Sequence, residues 1–429
     1  MGQVSSPWGL LPDGWKLSTI KKEMIVVTDY VANGSFASLA ENVQYSNTEE
    51  YAILIRLYDY NNNFSGSFVY VNEHAYNFLS KSKLYGDEII ISNVGANVGT
   101  VFKCPRLSKP MTLGPNSIVV KLNGNNDFYF YWFKSRYGKY CLDSIVSGSA
   151  QPKFNKTHFK ELPIPVPPLV EQEKIASLLS SIDDKIAVNS RICANLEAQA
   201  QALFKSWFVD FTPFKDKPFV DSELGPIPQG WKVEKINDLD LYITDFVSNG
   251  SFASLKQNVT LYSDENYAFF IRNTDLKEGR FRAYVDKSSY FFLKKSVLHG
   301  GEIIISNVGD VGSVNLCPKL NKPMTLGNNI IMLKSEDEAT HNFLYILFKW
   351  SYGKSLIKSI TGGSAQPKFN KGDFKSLKII MPTGKKLSDF NLIASSLLKK
   401  IEEFKEENQR LAALRDTLLP KLMSGEIKL

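Results

Sequence analysis

The chain has 429 residues, 43% hydrophobic and 22% charged, with 51 Lys and Arg against 44 Asp and Glu. That length holds two or more domains with cores of their own, and the composition excludes a disordered, collagen-like or disulfide-held chain. The formal charge of +7 permits a polyanionic partner without requiring one.

Four widely separated cysteines form no CxxC or Cys/His cluster, so no zinc site is expected and a reducing cytosol fits. No apolar run is long enough to span a bilayer and no signal-peptide pattern opens the chain. The expectation is a cytoplasmic protein with no membrane partner.

Read from its start, the chain presents a series of blocks that later return in the same order. LPDGW at 11–15 returns as IPQGW at 227–231, and NGSFASL occupies both 33–39 and 249–255. EIIISNVG recurs at 88–95 and 302–309, KPMTLG at 109–114 and 322–327, and GSAQPKFNK at 148–156 and 363–371. Five ordered matches make the chain an internal duplication. Within each half, strand-like runs such as EIIIS and SIVV alternate with Gly and Asn turns, which predicts a mixed α/β domain. The NVGANVG stretch at 93–99 follows one strand and precedes another, at 101–104, so it reads as a hairpin tip and not a dinucleotide-binding turn. The aromatic run 128–133 reads as a helix face packed in the core.

The run PIPVPP at 163–168 lacks most backbone donors and predicts an extended connector into a helix. From Ile175 the seam Ile175, Leu179, Ile182, Ile186, Asn189, Cys193, Leu196, Ala200, Leu203 and Trp207 advances by alternating fours and threes. About 33 residues at 1.5 Å each make a rod of roughly 50 Å, too long for its own domain to cover. The last segment supplies a partner seam through Leu397, Ile401, Phe404, Asn408, Leu411, Leu418 and Leu422. Antiparallel pairing would set Asn189 against Asn408 and fix the register; alternatively both face solvent. The expected division is a domain at 1–167, a helix at 168–211, a second domain at 212–382 and a helix at 383–429.

A duplicated enzyme should carry its catalytic groups twice, and the four histidines do not correspond between halves. Glu88 and Glu302 do correspond, but a lone carboxylate before a strand reads as a structural acceptor. No phosphate-binding GxxxxGK[ST] loop occurs. Charge is segregated within the first half: residues 1–100 hold 6 basic and 10 acidic groups, residues 101–160 hold 10 and 2. Residues 314–376 repeat the basic bias, with 9 against 4. A positive face suited to duplex phosphate follows, unless the sequence clustering is not spatial.

The GSAQPKFNK segments offer Ser149, Gln151, Lys153, Asn155 and Lys156, with Ser364, Gln366, Lys368, Asn370 and Lys371 as counterparts. These side chains bond base edges and phosphates, or else satisfy the loop's own backbone. Asn33, Ser35, Asn249 and Ser251 of NGSFASL have the same two readings, contact or turn and cap. Asn93, Asn97 and Asn307 at the hairpin tips, with Lys109 and Lys322, complete the DNA-binding candidates. No catalytic residue and no metal ligand is assigned.

The stretches PPLVEQEKIA at 167–176, IDDKI at 182–186 and ALFKSWFVDF at 202–211 resemble the central helix of type I restriction-modification specificity subunits. LRDTLLPKLMSGEI at 414–427 resembles that family's distal helix. The resemblance spans essentially the whole chain. It implies two target-recognition domains in pseudo-two-fold arrangement, separated by two long antiparallel coiled-coil helices. Each domain would read one half of a bipartite double-stranded DNA target, while the helices space them and dock two modification (methyltransferase) subunits. Restriction (translocase/nuclease) subunits would join in the full complex. No methyltransferase motif occurs here, so no cofactor is expected in this chain. Rival readings are a fused restriction-modification enzyme and a coiled-coil scaffold without DNA specificity. The family's domains normally differ within a chain, whereas these share whole blocks, which predicts a near-palindromic target.

Overall fold

A computed structural model describes residues 4–363, 365–383 and 385–429. The chain forms two compact units, residues 1–189 with 406–429, and residues 190–405.

In the first unit an antiparallel sheet runs in the order Met24–Asp29, Ser117–Leu122, Ile89–Ser92, Val101–Lys103. The last two strands form a hairpin with Ile90 opposite Phe102, and residues 93–100 are its tip. The EIIIS run is unbroken in hydrophobicity because both faces of this sheet are covered. Ile89 and Ile91 face a core with Phe128 and Trp132, whereas Ile90 faces another with Ile53, Phe102 and Leu113. That second core belongs to a smaller sheet, ordered Val69–Val71, Ala52–Ile55, Met111–Leu113, Lys83–Leu84. Its central pair is parallel, with Ile53 opposite Met111.

The aromatic run forms the helix Asn126–Lys134, in which all six residues from Phe128 to Phe133 are buried. Asn125 caps it by accepting from the Phe128 amide at 3.0 Å. The expected extended connector is a strand: Pro163–Val166 pairs antiparallel with Lys16–Thr19. Alternate prolines are tolerated because the ladder has only two strands, so the missing donors can face outward.

The second unit repeats this plan. Tyr242–Asp245, Ile330–Lys334, Ile303–Ser306 and Val314–Leu316 form the four-stranded antiparallel sheet. Ile303 and Ile305 face one core and Ile304 the other. A five-stranded sheet again has a parallel central pair, with Phe269 opposite Met324. Lys232–Lys235 pairs with Lys378–Met381, as the corresponding strands do in the first unit.

Two helices of 40 residues each, Leu169–Phe208 and Lys385–Ser424, contribute to both units. Within the first unit, buried Asn189 donates its Nδ2 to Asn408 Oδ1 at 3.0 Å and to Glu407 Oε2 at 2.7 Å. Asn408 Nδ2 in turn donates to the Ile186 carbonyl at 3.3 Å. Arg415 reaches Asp183 at 2.7 Å, and Asp183 also accepts from the Tyr131 hydroxyl at 2.8 Å. Within the second unit the Cys193 thiol points to the Ile401 carbonyl at 3.7 Å. The seam departs from the expected heptad at its end: Ala200, Phe204 and Phe208 are buried, while Leu203 and Trp207 are only partly so. A step of four replaces the three-four alternation because a straight helix drifts about 20° per heptad, here toward the second unit's core, where Phe204 meets Phe343 and, on the other long helix, Phe390.

Candidate nucleic-acid interface

Each repeated GSAQPKFNK segment is tied by its backbone to the hairpin tip of its own unit. Ser147 and Lys153 exchange backbone hydrogen bonds, both at 2.9 Å, closing the intervening residues into a tight loop. Gly148 turns that loop at φ +90, in the left-handed region that favours glycine. Lys153 also bridges Val94, and the Gly95 amide donates to the Pro152 carbonyl at 2.9 Å. The second unit repeats the pattern through Gly362, Lys368 and Val308, with Gly309 donating to Pro367 at 3.1 Å. Two segments some 60 residues apart in sequence thus form one composite surface per unit.

On that surface Ser149, Gln151 and Lys153 are exposed, as are Gln366 and Lys368. No hydrogen bond or ion pair ties the side chains of Gln151, Lys153, Gln366 or Lys368 among the described residues. Asn97 is exposed at the first tip. Its neighbourhood in the second is occupied by Asp310, which pairs with Lys277 at 2.7 Å and accepts from Asn273 at 3.2 Å. These bonds hold the Asp310 carboxyl below the usual carboxylate range against the opposing effect of burial. An open groove beside this tip is lined by Asp310, Lys354, Lys358 and Pro367. Ser364 lies outside the described residues.

The other candidates are engaged inside their units. Asn155 and Asn370 cap short helices by accepting from the amides of His158 at 2.8 Å and Asp373 at 2.9 Å. Lys156 pairs with Asp29 at 2.7 Å, and Lys371 with Asp245 at 2.9 Å. Asn33 donates to the Tyr30 carbonyl and to Ser82 Oγ, and accepts from the Lys81 amide. Asn249 does the same with Phe246, Ser296 and Lys295. Ser35 and Ser251 cap the helices Phe36–Asn42 and Phe252–Asn258. Asn93 and Asn307 donate to the carbonyls of Phe154 and Phe369, pinning loop to tip. Lys109 and Lys322 pair with Glu49 at 3.0 Å and Glu265 at 2.9 Å.

The fold pairs four of the ten basic groups of residues 101–160 with acids. Lys109 and Lys156 pair with acids from the first hundred residues, as Arg106 does with Asp87, while Lys103 pairs with Asp127. Lys134 is exposed by surface area, although desolvation around its ammonium group lowers its pKa. The positive face inferred from residues 101–160 is therefore narrower than the sequence suggests, and Lys153 stays exposed on the loop. Glu88 and Glu302 are structural acceptors: each carboxylate takes two backbone amides, at 2.7–2.9 Å. All four cysteines are buried and unpaired. Among the described residues no cluster of His, Cys, Asp and Glu could hold a metal ion, and no helix is long and apolar enough to cross a membrane.

Sequence reasoning missed the two most exposed large hydrophobic residues among the described residues, Phe36 and Phe252, which are 81% and 82% exposed. Their repetition within NGSFASL is a visible signal, but only the Asn and Ser of that segment read as candidates.

Residues 19–198 and 228–411 both match the family described as Type I restriction modification DNA specificity domain. The MjaIX specificity subunit of Methanocaldococcus jannaschii is 29% identical over 324 residues, covering 73% of this chain and 72% of the relative. The HindI specificity subunit of Haemophilus influenzae is 26% identical over 386 residues, covering 75% and 80%. The fold is similar to the crystal structure of the type I restriction-modification S subunit from M. genitalium, with TM-score 0.53 and 16% identity over 95% of this chain and 96% of that one. With two matched segments that together span most of its length, this chain belongs to the type I restriction-modification DNA specificity family.

Proposed function

We propose that this chain is the sequence-reading subunit of a type I restriction-modification enzyme, each unit recognising one half of a bipartite, near-palindromic duplex target. The observation that carries this is the paired loop and tip. In both units a backbone-locked loop presents one glutamine and one lysine with uncommitted side chains, a geometry suited to one base edge and one phosphate. A rigid loop matters because ordering a mobile one on binding would cost about 0.5–1.5 kcal/mol per immobilised side chain. In this reading the two long helices space the readers and dock modification subunits. Methyl transfer, its S-adenosylmethionine and any DNA translocation then belong to those partner chains, and this chain acts in the cytoplasm without a cofactor of its own.

The test is genome-wide methylation mapping in the host, followed by duplex binding with loop variants. Lys153→Ala should weaken binding to all sequences and reduce the slope of log K against log salt by about one. Gln151→Ala should relax preference at one base by about 1–3 kcal/mol. Equal affinity for target and random duplex in the wild-type protein would sink the reading.

A further inference from the structure

Phe36 and Phe252 each follow a serine cap and open their helices with the ring turned to solvent. Leaving a phenyl ring in water forgoes the free energy of burying it, so two matched exposures call for a cause. The neighbouring surface positions have diverged between the repeats: Ala40 and Glu41 face Lys256 and Gln257, yet the phenylalanine is kept.

Each ring stands on a stiff platform. In the second unit Asn249 makes three hydrogen bonds directly below the helix, and Lys371 clamps Asp245 and Ser248. In the first, Asn33 and the Lys156–Asp29 pair build the same support. Gly250 permits the close approach, since a Cβ there would lie 3.3 Å from Ser254 Oγ. The clamping lysines come from GSAQPKFNK, so platform and reading loop move together.

The position is also informative. Phe252, Leu255 and Val308 line one open, mostly apolar cleft of about 470 Å³ with Lys256 at its edge. Val308 is the residue bridged to Lys368. In the second unit the ring and the loop therefore share a continuous surface that joins an apolar element to a cationic one. Phenylalanine has no group to bond a base edge, but a rigid apolar ring beside phosphate-binding lysine suits insertion at an opened base step.

We propose that Phe36 and Phe252 are duplex wedges, each ring entering a base step of the half-site read by its own unit and kinking the DNA there. This rests on the assignment of the loop surface to duplex DNA. Insertion unstacks the step at a cost recovered by the contacts that the bent duplex makes with the loop.

The experiment uses the full chain, alone and with its modification subunits, and a duplex selected by the wild-type protein from a randomised pool. Bending is read by energy transfer between dyes at the duplex ends, and unstacking by 2-aminopurine fluorescence. Phe36→Ala and Phe252→Ala should each lower affinity for the selected duplex about tenfold or more, and the double variant should abolish bending. Random-duplex affinity and salt slope should stay unchanged, and Phe252→Leu should recover part of the bend. Both positions are exposed, and an unaltered thermal transition confirms that the variants fold. If the alanine variants bind and bend the duplex like wild type while Lys153→Ala and Lys368→Ala lose affinity, the wedge is refuted and the DNA reading stands. Normal DNA binding with loss of the modification subunits reassigns the rings to protein docking and overturns the proposal. Failure of every form, wild type included, to bind any duplex overturns both.

Discussion

An asparagine in a loop can bond a base or a backbone amide, and the local dihedral angles decide between them. Asn155 and Asn370 sit at φ −103 and −101 with extended ψ, the cap conformation, which aims Oδ1 at the amide three residues on. Asn33 and Asn249 likewise satisfy a turn and stitch it to a neighbouring 3-10 segment. Gln151 and Gln366 have one more methylene and no cap to fill, so they stay outside. A half-buried side chain without its repeat equivalent tests the same logic through pH. His341 is held at 3.0 Å from the Gly301 carbonyl, and burial, ahead of the pull of that carbonyl and Glu302, lowers its pKa below 6.5. The unfolded chain then binds a proton that the folded chain resists. Its contribution is complete above pH 6.5 and is lost as pH falls through the lower folded value. Chemical unfolding of wild type should therefore show a steeper loss of stability than His341→Gln as pH drops from 6.5 toward about 5. Parallel profiles would show that His341 carries no such linkage.

At the scale of elements, the long helices bury one polar crossing. Asn189 is fully buried, and its amide is shared between Asn408 and Glu407, with Lys185 3.6 Å from the same carboxylate. Replacing one asparagine by leucine leaves the other and part of this network unsatisfied, at about 1–3 kcal/mol. Replacing both removes the polar demand and adds apolar contact. Asn189→Leu should thus lower the unfolding midpoint, whereas Asn189→Leu with Asn408→Leu should restore or raise it. The double variant should also broaden the transition, because shifted alignments no longer leave an amide facing leucine. Strict additivity of the two single effects would mean that the pair is not coupled.

These elements also show what a sequence can disclose. The helix seam and the hairpin were legible because periodicity depends on burial of one face, which residue type reports directly. The end of the seam was not: where the helix meets a domain core as well as its partner the covered face changes, so burial passes to Phe204 and Phe208, which touch both Phe343 and the partner helix's Phe390. The pairing of Pro163–Val166 with Lys16–Thr19 joins segments at opposite ends of the first domain, and no local signal records such a partner. Charge segregation misled for the same reason, since Lys109 and Lys156 find their acids at long sequence range. The loops themselves were legible as repeats. Which of their side chains remained free depended on caps and ion pairs that spacing does not fix.

For the whole molecule, duplication turns each unit into a control for the other. The loops and the exposed phenylalanines are matched between units, so under the proposed function the bases they meet should be matched as well. The tips are not matched. Asn97 belongs to an uncharged tip, whereas Asp310 is an anion held by Lys277 and Asn273. On the flanking helices the repeat places Asp143 in the first unit where the second has Lys358, so the charge beside each tip differs as well. An aspartate accepts from the cytosine amino group but repels an edge that offers only acceptors, which confines the expected difference to one base of one half-site. Asp310→Asn should shift the preference at that base by about 1–3 kcal/mol, read as altered methylation of single-mismatch sites, and leave the first half-site untouched. A change in both half-sites, or in neither, would break the correspondence between tip and base on which this argument depends.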